Sequence, residues 1–171
     1  MDGTAWPSAY EAEYAASLTD PHAYWLAQSR VLDWVQPPHA AFAPRPDGQV
    51  SWFPDGQLNL CANALDRHVA AGRGGQVALI WESPASGASD ILTYAALLAR
   101  VAGFAGGLRA AGVGLGDRVL ICLPPIPECF IAMLACARLG AVHVVVFAGF
   151  APAELARRIE DVDPKLVLSL I

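Results

Sequence analysis

Lysine is nearly missing from this chain: Lys165 is its single representative in 171 residues. Charged residues of every kind reach only 16%, against about 25% in ordinary soluble domains. Eleven basic and sixteen acidic side chains leave a net charge of −5. No Lys/Arg-rich stripe offsets that balance, so a nucleic-acid binder that relies on phosphate neutralisation is excluded. The four cysteines, Cys61, Cys122, Cys129 and Cys136, form no C-x-x-C pair and have no histidine at zinc spacing. Buried free thiols are the expectation, with metal ligation or disulfide pairing as the alternative. Cys129 and Cys136 are spaced for one helix face, and reduced thiols suit a cytoplasmic protein. The G-x-x-x-x-G-K-[ST] phosphate loop and the G-x-S-x-G elbow are both missing. Gly112-Val113-Gly114-Leu115-Gly116 follows a helix and precedes a strand, the reverse of a dinucleotide fingerprint. His22, His39, His68 and His143 are scattered, and His143 reads as a core or edge histidine rather than a general base. No complete catalytic constellation emerges.

What is present is apolar. Hydrophobic residues make up 55%, which excludes intrinsic disorder. The length predicts roughly one domain, able to bury about 70% of its unfolded surface. The low charge points to segments covered on several sides, or to a missing partner surface. Phe130 to Phe150 is long enough to test as a membrane span, at about 20 residues. Arg138 near its middle, the stop at Leu139-Gly140 and the β-branched run Val142, Val144, Val145, Val146 argue instead for a buried helix followed by a buried strand. Met1 to Tyr14 carries Asp2, Glu11 and Glu13 without a positive flank, unlike a signal or transit peptide.

The first sixty residues read as helical and irregular. Ala9 to Ser17 is helix-prone, and Asp20-Pro21 caps and opens a helix over His22 to Trp34. Val35 to Gly56 is rich in Pro, Gly and aromatics and is expected to wrap over a neighbouring surface. Leu58 to Val69 reads as a helix with Asn59 near its start. From Gln76 the pattern becomes regular. Val77 to Trp81 and Ile91-Leu92 form a hairpin, and Thr93 caps a helix from Tyr94 to Ala111 with apolar residues at helical spacing. Strand Val119 to Leu123, a helix to Leu139, strand Ala141 to Phe147, helix Pro152 to Asp161 and strand Leu166 to Leu170 then alternate. Glu154 and Arg158 are spaced as an i,i+4 pair. The class is α/β, with βα repeats forming part of a mostly parallel sheet covered on both faces.

In open α/β sheets, ligands sit beyond the carboxyl ends of strands. Phe147-Ala148-Gly149-Phe150 is such an end. Gly149 admits close backbone approach, and the helix opening at Pro152 aims free N–H groups at the loop. Two phenylalanines could flank a flat ring or a pantetheine-like arm. The plain alternative is an ordinary strand–helix turn with both rings packed inward. In the second strand-end loop, Pro124 to Glu128, Glu128 reads as a helix-start carboxylate.

Several ordered blocks carry a resemblance. Asn63-Ala64-Leu65-Asp66-Arg67-His68, Thr93-Tyr94 and Gly116-Asp117-Arg118-Val119 are similar to the acetyl-/propionyl-CoA synthetase family of adenylate-forming enzymes. So are Pro127-Glu128 and the run Ala132 to His143, followed by Val145-Val146-Phe147, Gly149-Phe150, Leu155, Arg158-Ile159 and Asp161. The resemblance runs from about Tyr10 to Ser169, and Ala70 to Gly74 with Glu82-Ser83-Pro84 look closer to the propionyl branch. It implies residues 1–75 as the family's N-terminal segment and 76–171 as the start of the AMP-binding domain, incomplete relative to the family's large domain. It implies an enzyme that joins a short carboxylic acid to coenzyme A through an acyl-adenylate, using ATP and Mg²⁺. The family's Lys-terminated phosphate loop, ribose-binding Asp and catalytic Lys have no counterpart here. The expectation is therefore an N-terminal fragment inactive alone, or a non-enzymatic module that associates with a complementary C-terminal polypeptide. No catalytic residue carries over. The family's Phe-Gly-Gly-Phe loop, which lines part of the coenzyme A site, corresponds to Phe147, Ala148, Gly149 and Phe150. Ala148 departs from Gly there, Cys122-Leu123 stands where the family usually has Tyr-Met, and Pro125 where it has Met. Neither nucleic acid nor membrane is an expected partner.

Overall fold

The computed structural model describes residues 5–170, and side chains in the first helix from Tyr10 onward. Asp2, part of the N-terminal reading, lies outside them. The chain divides into two compact units, Met1–Leu58 and Asn59–Ile171.

The first unit opens with α1 (Ala5–Thr19) and α2 (Pro21–Gln28). Asp20 caps α2 as its sequence predicts: its carboxylate accepts from the Ala23 N–H at 2.9 Å, and Pro21 starts the helix. α2 is shorter than the expected run to Trp34, because the chain tightens into a 3₁₀ turn at Ser29–Val31. Trp34 then folds back, its indole N–H donating to the Ser29 carbonyl at 2.8 Å. The Pro- and Gly-rich stretch contains a small antiparallel pair that its composition concealed, β1 (Phe42–Pro44) and β2 (Val50–Trp52). Its aromatics pack on α2, with Trp52 edge-on to Trp25 at 5.6 Å and Phe42 edge-on to His22 at 5.5 Å.

The second unit begins with a helix over residues 60–73 containing wide π-helical turns at Ala62–Asp66 and Val69–Arg73. The hairpin of β3 (Val77–Ser83) and β4 (Ala88–Thr93) follows, antiparallel as expected. Thr93 Oγ1 accepts from the Ala96 N–H and starts α3 (Tyr94–Ala110). Gly112, at φ 86°, makes the left-handed exit that a Cβ would strain. The remaining elements are β5 (Arg118–Cys122), α4 (Pro127–Leu139), β6 (Val142–Val145), α5 (Pro152–Val162) and β7 (Leu166–Ser169). The three strands form a parallel sheet in the order β6-β5-β7. The class is mixed α/β, as the alternating pattern predicts.

Only β5 is covered on both faces. Val119 and Ile121 join the core with Leu97, Val101, Ala105 and Leu108 of α3 and with Ala132, Ala135 and Cys136 of α4. Leu120 is equally buried, and strand alternation turns it to the other face, where α5 lies against β5. The edge strands differ from expectation: Val142 and Val145 of β6 and Val167 of β7 stay exposed. An edge strand lacks a neighbour on one side, so continuous apolar sequence does not guarantee two-sided cover. Among the described residues no helix is long and apolar enough to cross a membrane. Phe130–Phe150 is a helix followed by a strand, as its sequence predicts, but the strand covers only Val142–Val145 and is partly exposed rather than buried.

Candidate functional site

The 146–151 loop sits at the carboxyl end of β6. Val146 is buried and donates to the Ile121 carbonyl at 2.9 Å, which fixes the loop's root to the central strand. The Phe150 N–H closes a turn on the Phe147 carbonyl at 3.2 Å. β6 flanks β5 on one side and β7 flanks it on the other, so α5 carries the chain back past β5. The point where the strand order reverses is where α/β folds open a ligand crevice.

The two rings are not packed inward, nor do they leave a slot between them. Phe147 is 71% exposed and Phe150 39%. Their centroids are 5.8 Å apart and nearly perpendicular, so the pair presents an outer aromatic surface. A Cβ on Gly149 would lie 2.5 Å from the Phe147 ring. The chain's own Phe147 thus occupies the place that a Cβ on Gly149 would take. Ala148 and Gly149 are both exposed. The Arg158 guanidinium carbon lies over Phe150, 4.9 Å from the ring centroid. Composition gave no hint of that stack. Arg158 stands at i,i+4 from Glu154, but Glu154 instead pairs with Arg157 at 3.0 Å. Both spacings bring side chains together on a helix, so spacing alone could not choose.

The second strand-end loop is pinned elsewhere. The Trp81 indole N–H donates to the Pro125 carbonyl at 2.7 Å, and Glu128 lies in the first turn of α4. The histidines stay apart. His22 Nε2 accepts from the Ala41 N–H, His39 Nδ1 lies 2.8 Å from Asp55, and His68 contacts Arg73 and Tyr94. His143 is half-buried in edge strand β6. The backbone and side-chain hydrogen bonds from His39 hold the Asp55 carboxyl below its usual range. Cys61, Cys129 and Cys136 are buried free thiols, while Cys122 is half-buried. Burial pushes Cys136 up to about 11 and raises Cys61 and Cys129. Among the described residues no group of three or more His, Cys, Asp or Glu could hold a metal ion.

The block Asn63 to His68 serves structure. Asn59 Oδ1 accepts from the Ala62 N–H, and the same side chain donates to the Ala137 and Arg138 carbonyls at the end of α4. Asn63 donates to the Asn59 carbonyl and accepts from Arg67. Arg138 forks onto Asp66 with two bonds of 2.9 Å and reaches Cys61 Sγ at 3.6 Å. The Asp66 contact holds Arg138 firmly protonated. One cluster therefore caps the 60–73 helix and satisfies carbonyls at the end of α4.

Comparison with known proteins agrees with this arrangement. The family "Acetyl-coenzyme A synthetase N-terminus" matches residues 10–64, and "AMP-binding enzyme" matches residues 66–170. An uncharacterised protein of Pseudomonas aeruginosa is 53% identical over 94% of this chain and 26% of its own length. Acetyl-coenzyme A synthetase of Methylorubrum populi is 47% identical over 94% of this chain and 25% of its own. The mitochondrial acyl-CoA synthetase short-chain family member 3 of Bos taurus is 42% identical over 94% and 23%. The chain spans about a quarter of the length of these relatives. It belongs to the acetyl-CoA synthetase family of AMP-binding enzymes and corresponds to that family's N-terminal region.

Proposed function

We propose that these residues are the N-terminal part of a short-chain acyl-CoA synthetase, joining propionate or acetate to coenzyme A through an acyl-adenylate at the expense of ATP. Phe147, Ala148 and Gly149 contribute to the coenzyme A site, and the remaining family residues supply ATP, Mg²⁺ and carboxylate binding. The observation that carries the reading is the placement of the 147–150 loop. An exposed aromatic pair stands at the carboxyl end of β6, beside the start of α5, inside the matched AMP-binding region. Coenzyme A offers a flat purine and an apolar arm, chemistry suited to an aromatic surface. Residues 1–75 and 76–171 are the corresponding N-terminal segment and start of the AMP-binding domain, and the protein works in the cytoplasm. The chain by itself does not activate an acid, because no phosphate loop is present in its 171 residues. In an ATP–pyrophosphate exchange assay it is expected to show no carboxylate-dependent exchange, and adding a polypeptide with the remaining family residues is expected to restore it. Exchange by the purified chain alone would overturn this reading.

The second reading is a non-enzymatic module that associates with a complementary polypeptide. It is favoured by an apolar groove between α3 and β7, lined by Phe104, Leu108, Leu166 and Leu168. Co-purification without restored exchange would support it over the first.

A further inference from the structure

Arg158 sits on the exposed side of α5, two turns after Ala151. Its i,i+4 neighbour Glu154 is taken by Arg157, and among the described residues no carboxylate forms an ion pair with Arg158. Its one aromatic contact is Phe150, at 4.9 Å from guanidinium carbon to centroid, inside the roughly 6 Å range of a cation–π contact. Phe150 in turn meets Phe147 at 5.8 Å and 86°. Phe147 also lies over Gly149 of its own loop. The three side chains form a relay from a regular helix to an exposed loop tip, Arg158 against Phe150 and Phe150 against Phe147.

We propose that Arg158 is a positioning residue for this loop: its guanidinium, stacked on Phe150, fixes the ring against which Phe147 rests. The inference rests on the reading above that the loop meets coenzyme A, and it names the residue that sets the loop's aromatic surface. A free phenylalanine ring on a six-residue connection would sample several rotamers. Each would have to be given up on binding, which weakens affinity. A stack anchored in α5 removes that freedom beforehand. Arg158 acts through Phe150, and Lys retains part of its effect because an ammonium also lies favourably over a ring.

The test labels the full chain with 4-fluorophenylalanine at its six phenylalanines, with Phe147 and Phe150 assigned through F147L and F150L. In ligand-free ¹⁹F spectra, R158A is expected to shift both the Phe150 and the Phe147 resonances. The other four should stay in place and so report an intact fold. R158K is expected to remain near the parent spectrum. Coenzyme A titrated into the same samples is expected to bind R158A two- to five-fold more weakly than the parent, with R158K in between. A Phe147 resonance unmoved by R158A would overturn the inference. Equal coenzyme A affinity in parent and R158A would also overturn it while leaving the coenzyme site standing. Absence of binding by the parent chain would overturn the coenzyme reading instead, and with it the claim on Arg158's purpose. If R158A perturbs all six resonances, R158Q, which keeps a planar polar group without the charge, replaces it under the same criteria.

Discussion

The one lysine of the chain is spent on structure. Lys165 Nζ lies 2.8 Å from Asp117 Oδ2, and the same oxygen accepts from the Gly114 N–H at 2.8 Å. Two donors on one carboxylate oxygen favour its charged form, with Lys165 first, so the Asp117 carboxyl lies below its usual range. The sign follows from linkage. A folded-state pKa below the unfolded one means that stabilisation is present above the unfolded value, near the usual pKa of about 4. It is lost as pH falls through the folded value. D117N is therefore expected to lower the unfolding midpoint at pH 7. As pH drops below about 4, the parent should lose this advantage and approach D117N. Urea unfolding of both chains at pH 7, 5 and 3 measures the gap, and a gap that widens toward pH 3 would contradict the assignment. Because the pair is exposed, the effect is expected to shrink with added salt.

At the scale of elements, the end of α4 depends on residues far earlier in the chain. A helix leaves its last four carbonyls without intrahelical partners. Gly140 makes the left-handed turn at φ 69°, and Asn59 satisfies the Ala137 and Arg138 carbonyls while capping its own helix. N59A removes both functions at once and is expected to cost about 1–2 kcal/mol, the upper range for a helix cap. For a chain of this length that corresponds to a fall in melting temperature of roughly 2–8 °C. N59D should keep the cap on Ala62 and lose the two donated bonds, so its melting temperature is expected to lie between parent and N59A. Hydrogen exchange should show faster exchange at the α4 end in both variants. This staple marks the boundary of what the residue pattern disclosed. Strands, helices and caps from Val77 onward were legible because apolar periodicity, Thr93, Gly112 and Pro127 act locally. β1 and β2 were not, since each has only three residues amid Pro and Gly, and their stability comes from aromatic contacts with α2. The position of the candidate loop was legible to the same degree, because a strand-end loop is local. The edge-on ring pair, the cover over Gly149 and the Arg158 stack depend on which rotamers meet in space, and no spacing specifies that.

At the scale of the whole molecule, 55% hydrophobic residues and 16% charge have a visible consequence. Part of the exposed surface is apolar and contiguous. Gly103, Phe104, Gly107, Leu108 and Ala111 of α3 and its exit form a groove with Leu166 and Leu168 of edge strand β7. In the hairpin, Ile80 and Ile91 face each other across β3 and β4 and both are exposed. Exposed apolar surface of this kind gains free energy when covered, at about 25 cal/mol per Å². It also binds apolar dyes. The chain alone is therefore expected to enhance the emission of anilinonaphthalene sulfonate under native conditions and to melt broadly. L168D places a carboxylate in the groove and is expected to reduce that emission with little change in far-UV dichroism, because Leu168 is already half-exposed on an edge strand. I80D probes the hairpin face in the same way, and its effect should add to that of L168D because the two surfaces share no residues. A covering polypeptide from the rest of the family fold should abolish the dye signal at the groove and sharpen the transition. Dye emission that is absent from the parent chain, or indifferent to both substitutions, would mean that these faces are covered in solution by another copy of the chain, which a concentration series of sedimentation measurements would reveal.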